Sequence, residues 1–383
     1  MLKSFQGSNT RLFNAASKTQ KKRPSGLWQW HLWFGLVATV PLLLAAVSGV
    51  LLLYQKELVR LVVTPGAHME SDRDSHADAQ TLQTLVQEYA SGAMINIKAP
   101  SRVEPYWTIR EDHSLTLLNT ESLEPYTRHN WLLDAFAVVR ELHVHLLTSV
   151  VGEWLLLISG LAALFLCVSG IILWWPGRKA FRWQWITPNP VRRSHYLHYH
   201  RHLGALISPV LLVVLLTGAV MLWQKRVQPL LPPQPVSTFS TAPKDVLPLT
   251  IAEAMSLVQQ IYPNARPTYI RAWADGDGRQ LRVRFRLADE WHLNGRTTVW
   301  VNLDSGIVSG TARSDKVGEA RKLVNQLYPL HSGYGMDFIY RTLVLLSGVG
   351  FCWVLWTGFM HYIKRQLSRK RRHSNTPSKP HFY

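Results

Sequence analysis

Four long apolar stretches restrict the folds that this 383-residue chain can adopt. A helix needs about 20 apolar residues to cross a hydrocarbon core of about 30 Å. All four stretches are long enough, and Pro41 and Pro209 inside two of them are tolerated because neighbouring groups satisfy the freed carbonyls in membrane helices. The sequence therefore predicts four transmembrane helices, over residues 30–55, 141–175, 200–224 and 337–363.

The charged residues predict the orientation of these helices. All 24 Asp and Glu residues fall in two stretches, Glu57 to Glu153 and Asp245 to Asp337. By the positive-inside rule, segments that carry Lys and Arg but no acid are typical of the cytoplasmic side. Three segments have this composition: 1–29, 176–199 and 364–383. We therefore expect both chain ends inside, and segments 56–140 and 225–336 outside. The net charge of +18 then lies at the membrane surface, where it attracts anionic lipid and does not indicate a nucleic-acid partner.

Four histidines recur at regular distances from small hydroxyl–glycine pairs. His31 and His200 each precede such a pair by 17 residues, whereas His143 and His331 each precede one by 26. The pairs are Ser48–Gly49 and Thr217–Gly218 at the shorter spacing, and Ser169–Gly170 and Thr357–Gly358 at the longer one. The recurrence predicts an integral membrane α-helical fold in two duplicated halves, each with two transmembrane helices.

Paired imidazoles at matching depths are typical of iron ligation. A duplication places two equivalent imidazoles across a pseudo-twofold axis, where they can hold a haem from both faces. We predict an outer pair, His143 with His331, and an inner pair, His31 with His200. A boundary histidine can equally be an interfacial anchor, and the inner side also offers His198 and His361 as substitute ligands. No CxxCH motif is present, so the haems, two in number, would be bound non-covalently as haem b.

Two charged residues begin their apolar runs at repeat-equivalent positions, Glu153 and Arg341. One interpretation is that both are snorkelling boundary charges. The other is that they form an ion pair across the axis and orient the outer haem or its propionates. The sequence alone does not distinguish between these two interpretations.

The two outer segments each show a helical pattern followed by alternating, strand-like runs. In the second segment the helix covers 250–262, and in the first it covers 82–89. The strand-like runs cover 106–110, 114–118, 279–287 and 296–302. We therefore expect two small α+β modules. An extended Pro-rich connector over 229–235 joins the third span to the second module. Several side chains of the larger module are candidates either for an anionic or amphipathic ligand or for a solvated strand face: Arg271, Arg282, Arg284, Arg286 and Trp291.

Together these motifs resemble a known family. The chain has His-x-x-x-Gly at the start of two spans, Leu330-His331-Ser332-Gly333, and Asn302-Leu303-Asp304-Ser305-Gly306-Ile307-Val308 in the second module. In this order they are similar to the PepSY-associated transmembrane helix family, and within it to iron-regulated inner-membrane proteins of siderophore uptake that reduce ferric siderophores of the ferrioxamine type. The likeness extends from about Trp28 to Lys364.

The resemblance implies a function and a location. It implies a Gram-negative inner-membrane protein with periplasmic PepSY modules and haem-binding span histidines. Such a protein would pass electrons from a cytoplasmic or membrane donor to a ferric siderophore, because ferrous iron binds hard oxygen ligands less tightly and is released. Two other functions remain alternatives: a siderophore permease, and a haem-free membrane-anchored protein for interaction or regulation.

Overall fold

The computed structural model describes most of the chain. It covers residues 26–67, 79–90, 94–111, 114–127, 130–186, 193–224, 228–231, 237–240, 248–288, 290 and 292–374. Its helices are α1 (Gly26–Leu53), α2 (Gln55–Val62), α3 (Ala79–Tyr89), α4 (Trp131–His145), α5 (Ser149–Trp174), α6 (Arg193–Leu222), α7 (Ile251–Ile261), α8 (Glu319–Ser332) and α9 (Phe338–Ser374). Its strands are β1 (Met94–Lys98), β2 (Trp107–Glu111), β3 (Ser114–Leu118), β4 (Ser237–Ser240), β5 (Arg266–Asp275), β6 (Gly278–Arg286), β7 (Thr297–Asn302) and β8 (Ile307–Ala312).

Four of these helices are long and apolar enough to cross a membrane, which confirms the predicted number of spans. They are α1, α5 with the short 3₁₀ turn that continues it to Ala180, α6 and α9. The helices pack against one another, and a small apolar cluster around Ala38, Leu42, Ala163 and Leu355 joins three of them. Many large apolar side chains on their outer faces are exposed, as expected where lipid covers them.

The second span begins later than the continuous apolar run suggests, whereas the fourth begins at Phe338, one residue after its predicted start. The chain breaks after α4, where Leu146, Leu147 and Ser149 all have positive φ, and α5 starts only at Ser149. Gly333, with φ of 67°, ends α8 before α9 begins. His143 therefore lies on the separate short helix α4 and not on the second span, to which the sequence assigned it, and His331 lies on α8, ahead of the fourth span.

The strands of both outer segments form one eight-stranded antiparallel sheet, in the order β3-β2-β1-β5-β6-β7-β8-β4. The segments join where β1 pairs with β5, with Asn96 opposite Arg271 and Ile97 opposite Ile270. In the first segment α3 precedes the strands, in the second α7 follows β4 and precedes the other four strands, and both helices cover one face of the sheet. Two independent modules were the expectation, but the two segments share one sheet and one core.

The two faces of the sheet have different partners. Alternate residues such as Leu281, Val283 and Phe285 are completely buried in the core under α3 and α7. On the other face, Leu117 packs with Val59 of α2 and Phe136 of α4, which lie beside the ends of the spans. This second face therefore lies towards the membrane helices. Of the connector, residues 228–230 form a 3₁₀ turn and 232–235 lie outside the described residues.

Candidate functional site

The four recurrent histidines meet in two pairs. His143 of α4 and His331 of α8 have ring centroids 6.0 Å apart. His31 of α1 and His200 of α6 have ring centroids 6.1 Å apart. Since His143 packs at Gly49 and His31 stands 18 residues earlier on α1, the two pairs are separated by about 27 Å along that helix. The pairs predicted from the sequence thus come together near opposite ends of the helix bundle.

The outer imidazoles are held by backbone carbonyls. His143 Nδ1–H donates to the carbonyl of Ala45 at 2.9 Å, and His331 Nδ1–H donates to the carbonyl of Val214 at 2.9 Å. Each carbonyl lies four residues before a glycine, Gly49 or Gly218. A Cβ on either glycine would stand 2.8–2.9 Å from the histidine Cε1, closer than real Cβ atoms approach other atoms. The missing side chain therefore makes the notch through which the ring reaches the carbonyl.

The inner imidazoles are held in a similar way. His200 Nδ1–H donates to the carbonyl of Val354 at 2.9 Å, across Gly358. His31 Nδ1 lies 2.8 Å from the Ser169 hydroxyl, beside Gly170. The Ser169 hydroxyl itself donates to a backbone carbonyl, so we infer that His31 Nδ1 carries the proton of this contact.

The hydroxyl–glycine pairs therefore do serve the histidines, but through a different helix from the one that the spacing suggested. His31 contacts the pair on α5, and His143 contacts the pair on α1. In the second half of the chain, His200 contacts Gly358 on α9, and His331 contacts the pair on α6. The Ser and Thr hydroxyls fold back onto carbonyls three or four residues earlier. These hydroxyl groups therefore add no bulk beside the space that the glycines leave for the histidine rings.

This arrangement leaves the second ring nitrogen available. With a proton on Nδ1, the Nε2 lone pair of each histidine is free to bind a metal, and the Nδ1 contact fixes the tautomer. A metal binds an imidazole nitrogen at about 2 Å, so two imidazoles on one metal have centroids about 6 Å apart. Both pairs match that distance. The distance between the two rings of each pair suits two ligands on opposite sides of one metal, such as the iron of a haem.

A cavity of about 740 Å³ surrounds the outer pair, within the range of small-molecule and cofactor sites. Its walls within the bundle are largely small or apolar: Leu42, Ala45, Ala46, Gly49, Leu156, Gly160, Leu215, Gly218, Ala219, Gly348 and Phe351. Its polar lining residues include Lys56, Arg140, Tyr328, Tyr334 and Arg341. A flat apolar ring with acidic side chains fits this distribution of small, apolar and cationic residues.

The two predicted outer-site charges both line this cavity, but the expected ion pair between them is wrong. Arg341 binds the carboxylate of Glu57 through both terminal nitrogens, with 2.8 Å from Nη2 to Oε2, and Nη2 also donates to the carbonyl of Leu53 at 2.5 Å. Partial burial would raise the pKa of Glu57, but the hydrogen bonds from Arg341 hold that pKa below its ordinary value. Glu153 begins α5 on another wall of the cavity. The match of repeat positions therefore does not identify the partner of Arg341.

A buried polar cluster connects the cavity with the sheet. Glu104 receives hydrogen bonds from Lys56 Nζ at 2.9 Å and from the Tyr334 hydroxyl at 3.0 Å, and it also binds Lys98 of β1. Burial raises the pKa of Glu104, but the two lysines lower it to about 2. Burial, and then the charge of Lys98, lowers the pKa of Lys56 to about 7. Burial and the adjacent Glu104 raise the pKa of Tyr334, so its hydroxyl stays protonated as a donor.

The substitute ligands occupy other positions on the inner side. The His198 ring stacks on Trp185 with centroids 4.4 Å apart and lies beside His202. It therefore belongs to an aromatic group on a different face of α6 from His200. His361 follows Gly358 by three residues on α9, at the same end of the bundle as the inner pair.

Sequence reasoning missed several residues around the outer site: Lys56, Glu57, Glu104, Arg140, Tyr328 and Tyr334. The Lys56–Glu57 pair directly after the first span resembles an ordinary boundary charge, and its partners are 48 and 284 residues away. Glu104 stands in a loop with no motif. For Tyr334, the signal in the sequence was its position three residues after His331.

Comparison with known protein families gives a match over most of the chain. The model of the family described as "PepSY-associated TM region" matches residues 28–365. No curated protein matches the chain.

Proposed function

Because the chain belongs to the PepSY-associated transmembrane family, we propose that it is a haem-containing inner-membrane reductase that passes electrons across the membrane to a ferric siderophore. The observation that supports this proposal is the pair of imidazole couples, each with centroids about 6 Å apart and each with Nδ1 fixed by a hydrogen bond. A haem supplies an iron that alternates between ferric and ferrous states and transfers single electrons.

Two-fold repetition supports the placement of these pairs. Each pair takes one histidine from the first half of the chain and one from the second, and each histidine rests in a glycine notch of a helix from its own half. We infer that the chain arose by duplication and that the halves face each other about a pseudo-twofold axis. On the charge pattern we expect the shared sheet in the periplasm and both chain ends in the cytoplasm.

The residues around the outer pair have separate tasks in this proposal. Gly49 and Gly218 allow the imidazoles to approach the helix backbone, and the small side chains nearby leave room for a ring. Arg341 and Arg140 place positive charge in the cavity wall, suited to the propionates of a haem. The apolar walls exclude water, which strengthens these charge interactions.

The substrate is iron(III) in a chelate. Its reduction to iron(II) weakens the hold of hard oxygen ligands, so that the metal leaves without any proton-transfer machinery in the protein. The residues near the outer pair therefore need only bring the chelate close to that pair, so that the distance for electron transfer is short.

The test is spectroscopic and kinetic. The purified protein is expected to be red, with a Soret band and split α and β bands after dithionite addition, and two haems per chain. His143→Ala or His331→Ala should remove about half of the pigment, and so should His31→Ala or His200→Ala. Reduced wild-type protein in proteoliposomes should convert a ferric siderophore to ferrous iron, trapped by a ferrous-specific chelator.

Two variants serve as controls. His145→Ala changes a histidine that lines the same cavity two positions from His143, with its Nδ1 at 2.9 Å from the Glu141 carboxylate, and His198→Ala changes the ring stacked on Trp185. Both should retain the full pigment. A colourless wild-type protein would contradict the proposal and favour the permease or the haem-free anchor, and full pigment in all four ligand variants would contradict the assignment of ligands.

A further inference from the structure

The face of the sheet that lies towards the membrane helices carries a concentration of positive charge. On β6, Leu281, Val283 and Phe285 point into the core, so the alternating residues Arg282 and Arg284 point to the opposite face. The same alternation on β5 puts Ile270 and Ala272 in the core and Arg271 on the opposite face. These two strands therefore contribute to a single surface, which we call the cationic face.

The strand register places these residues side by side. Arg110 of β2 is opposite Asn96 of β1, which is opposite Arg271, which is opposite Arg282, which is opposite Trp300 of β7. Strands are about 4.8 Å apart, so the three arginines lie along a row about 14 Å long. The row runs across the junction between the two segments. Neither segment alone contains the whole row.

A second row lies next to the first, nearer to the outer histidine pair. It contains Lys98 of β1, Tyr269 of β5 and Arg284 of β6. The Arg284 guanidinium stands 5.5 Å from the centre of the Tyr269 ring. Lys98 contacts Glu104, whose other partners Lys56 and Tyr334 line the cavity around the outer histidines. The cationic face is thus continuous with the candidate redox site.

None of the described residues of the first row is acidic. Asp275 lies on the same face of β5, four residues beyond Arg271, and accepts a hydrogen bond from Trp273 Nε1. Arg271 directs its guanidinium to the sulfur of Met94 and lies 5.6 Å from the Trp273 ring. Partial burial, and then the charges of Arg284 and Arg271, lower the pKa of Arg282. The arginines therefore repel one another, and an anion bound among them would relieve that repulsion.

We propose that the cationic face binds a small polyanionic ferric chelate, in which catecholate or carboxylate oxygens hold the iron, and presents it to the outer histidine pair. Arginine forks match the paired oxygens of such groups, and the flanking Trp273 and Trp300 offer flat surfaces to their rings. A chelate with hydroxamate ligands and a free ammonium, as expected from the ferrioxamine-type resemblance, would be neutral or positive and would gain nothing from these charges. This inference rests on the proposed function only for the reduction of the iron after the chelate has bound.

Binding can be measured without any electron transfer by using gallium(III) chelates, because gallium(III) is not reduced. The protein, in nanodiscs of phosphatidylcholine, is titrated with a triply negative gallium tricatecholate and with a positive gallium trihydroxamate. We expect the tricatecholate to bind at least about tenfold more tightly, with an affinity that falls as salt is added. The double variant Arg271→Gln/Arg282→Gln should lose about tenfold or more of that affinity.

Two further variants separate a binding role from a folding role. Arg282→Lys keeps the charge and should keep most of the affinity, whereas Arg279→Gln changes an arginine of the same strand that points to the other side and pairs with Asp304. Arg279→Gln should bind as the wild type does. An unchanged thermal unfolding temperature in the double variant will show that its loss of affinity is local.

The outcomes are distinct. Equal binding of the two chelates, or wild-type affinity in the double variant, overturns the inference and leaves the electron-transfer proposal intact. Displacement of the chelate by water-soluble glycerol phosphate at the same concentration also overturns it, because the face would then serve lipid headgroups. Tight tricatecholate binding to a protein that proves free of haem supports the binding face and contradicts only the proposed reductase.

Discussion

The imidazole of His331 lies in the space that a side chain on Gly218 would occupy. A Cβ at position 218 would stand 2.8 Å from Cε1 and 3.2 Å from Nδ1 of His331. The same atoms of His143 would be 2.9 Å and 3.3 Å from a Cβ at Gly49. The ring positions therefore depend on the absence of one carbon atom on a neighbouring helix.

Gly218→Ala should displace His331 and remove about half of the bound pigment. Alanine is favoured over glycine in a helix by about 1 kcal/mol, so a loss cannot come from weaker helix formation. The measurement is the ratio of Soret to protein absorbance after purification. Gly204→Ala on the same helix is the matched control, since a Cβ there would meet only Val354 methyl groups at 3.8–3.9 Å. Normal pigment in Gly218→Ala would show that the notch is not needed.

Arg341→Leu should lower the midpoint potential of the outer haem. It removes a positive charge from the cavity wall and leaves Glu57 without its bidentate partner, and both changes favour the ferric state. Redox titration of the Soret band gives the potential. Glu57→Gln should raise it, and the double variant should fall between the two. An unchanged potential in all three would mean that the pair serves only to hold α2 against α9.

Acid should destabilise the protein through Glu104. Its pKa is about 2 in the folded state, below the ordinary 4.5, so its contribution to stability is complete above pH 4.5 and is lost as the pH falls towards 2. The lowering of this pKa from 4.5 to about 2 corresponds to about 3 kcal/mol in the free energy of unfolding. Thermal unfolding in detergent across this pH range should show a steeper loss for the wild type than for Glu104→Gln. Glu319→Gln, at an exposed carboxylate, should follow the wild-type curve.

Leu147→Gly should leave the protein as stable as before or more stable by up to about 1 kcal/mol. Leu147 has φ of 60°, a conformation that costs about 1–2 kcal/mol for a residue with a Cβ, and its side chain is more than half exposed. Glycine removes this strain but adds flexibility to the unfolded chain. Leu155→Gly, at a similarly exposed position inside α5, should instead lower stability by about 1 kcal/mol. Equal losses in the two variants would refute the strained break before α5.

The sequence predicted the features that repeat or alternate along the chain. The four spans follow from runs of apolar residues, and the pairing of His143 with His331 follows from their identical spacing to Ser169 and Thr357. Spacing predicted which histidines lie together, because a structural unit that occurs twice in a chain repeats its offsets. It did not indicate that each imidazole rests on the other helix of its half, since a spacing along one helix carries no information about which helix lies beside it.

The remainder of the site depends on contacts between distant segments. Arg341 binds Glu57 and not Glu153, because the position of α2 is set by the packing of Val59 and Val63 with α4 and the sheet. The break after α4 was missed because Leu146 and Leu147 continue the apolar run, and leucine gives no signal for positive φ. Such features are decided by tertiary packing.

The pairing of β1 with β5 has a consequence for the biogenesis of the protein. Lys98 and its partner Tyr269 are separated by 170 residues, among them two complete spans. In the proposed orientation, the edge of β1 that pairs with β5 has no neighbour after export of the first segment until the second and third spans have been made and β5 has crossed the membrane. Such an open edge is a target for aggregation and proteolysis. Splitting the gene between the halves should therefore yield fragments that survive only when they are produced together.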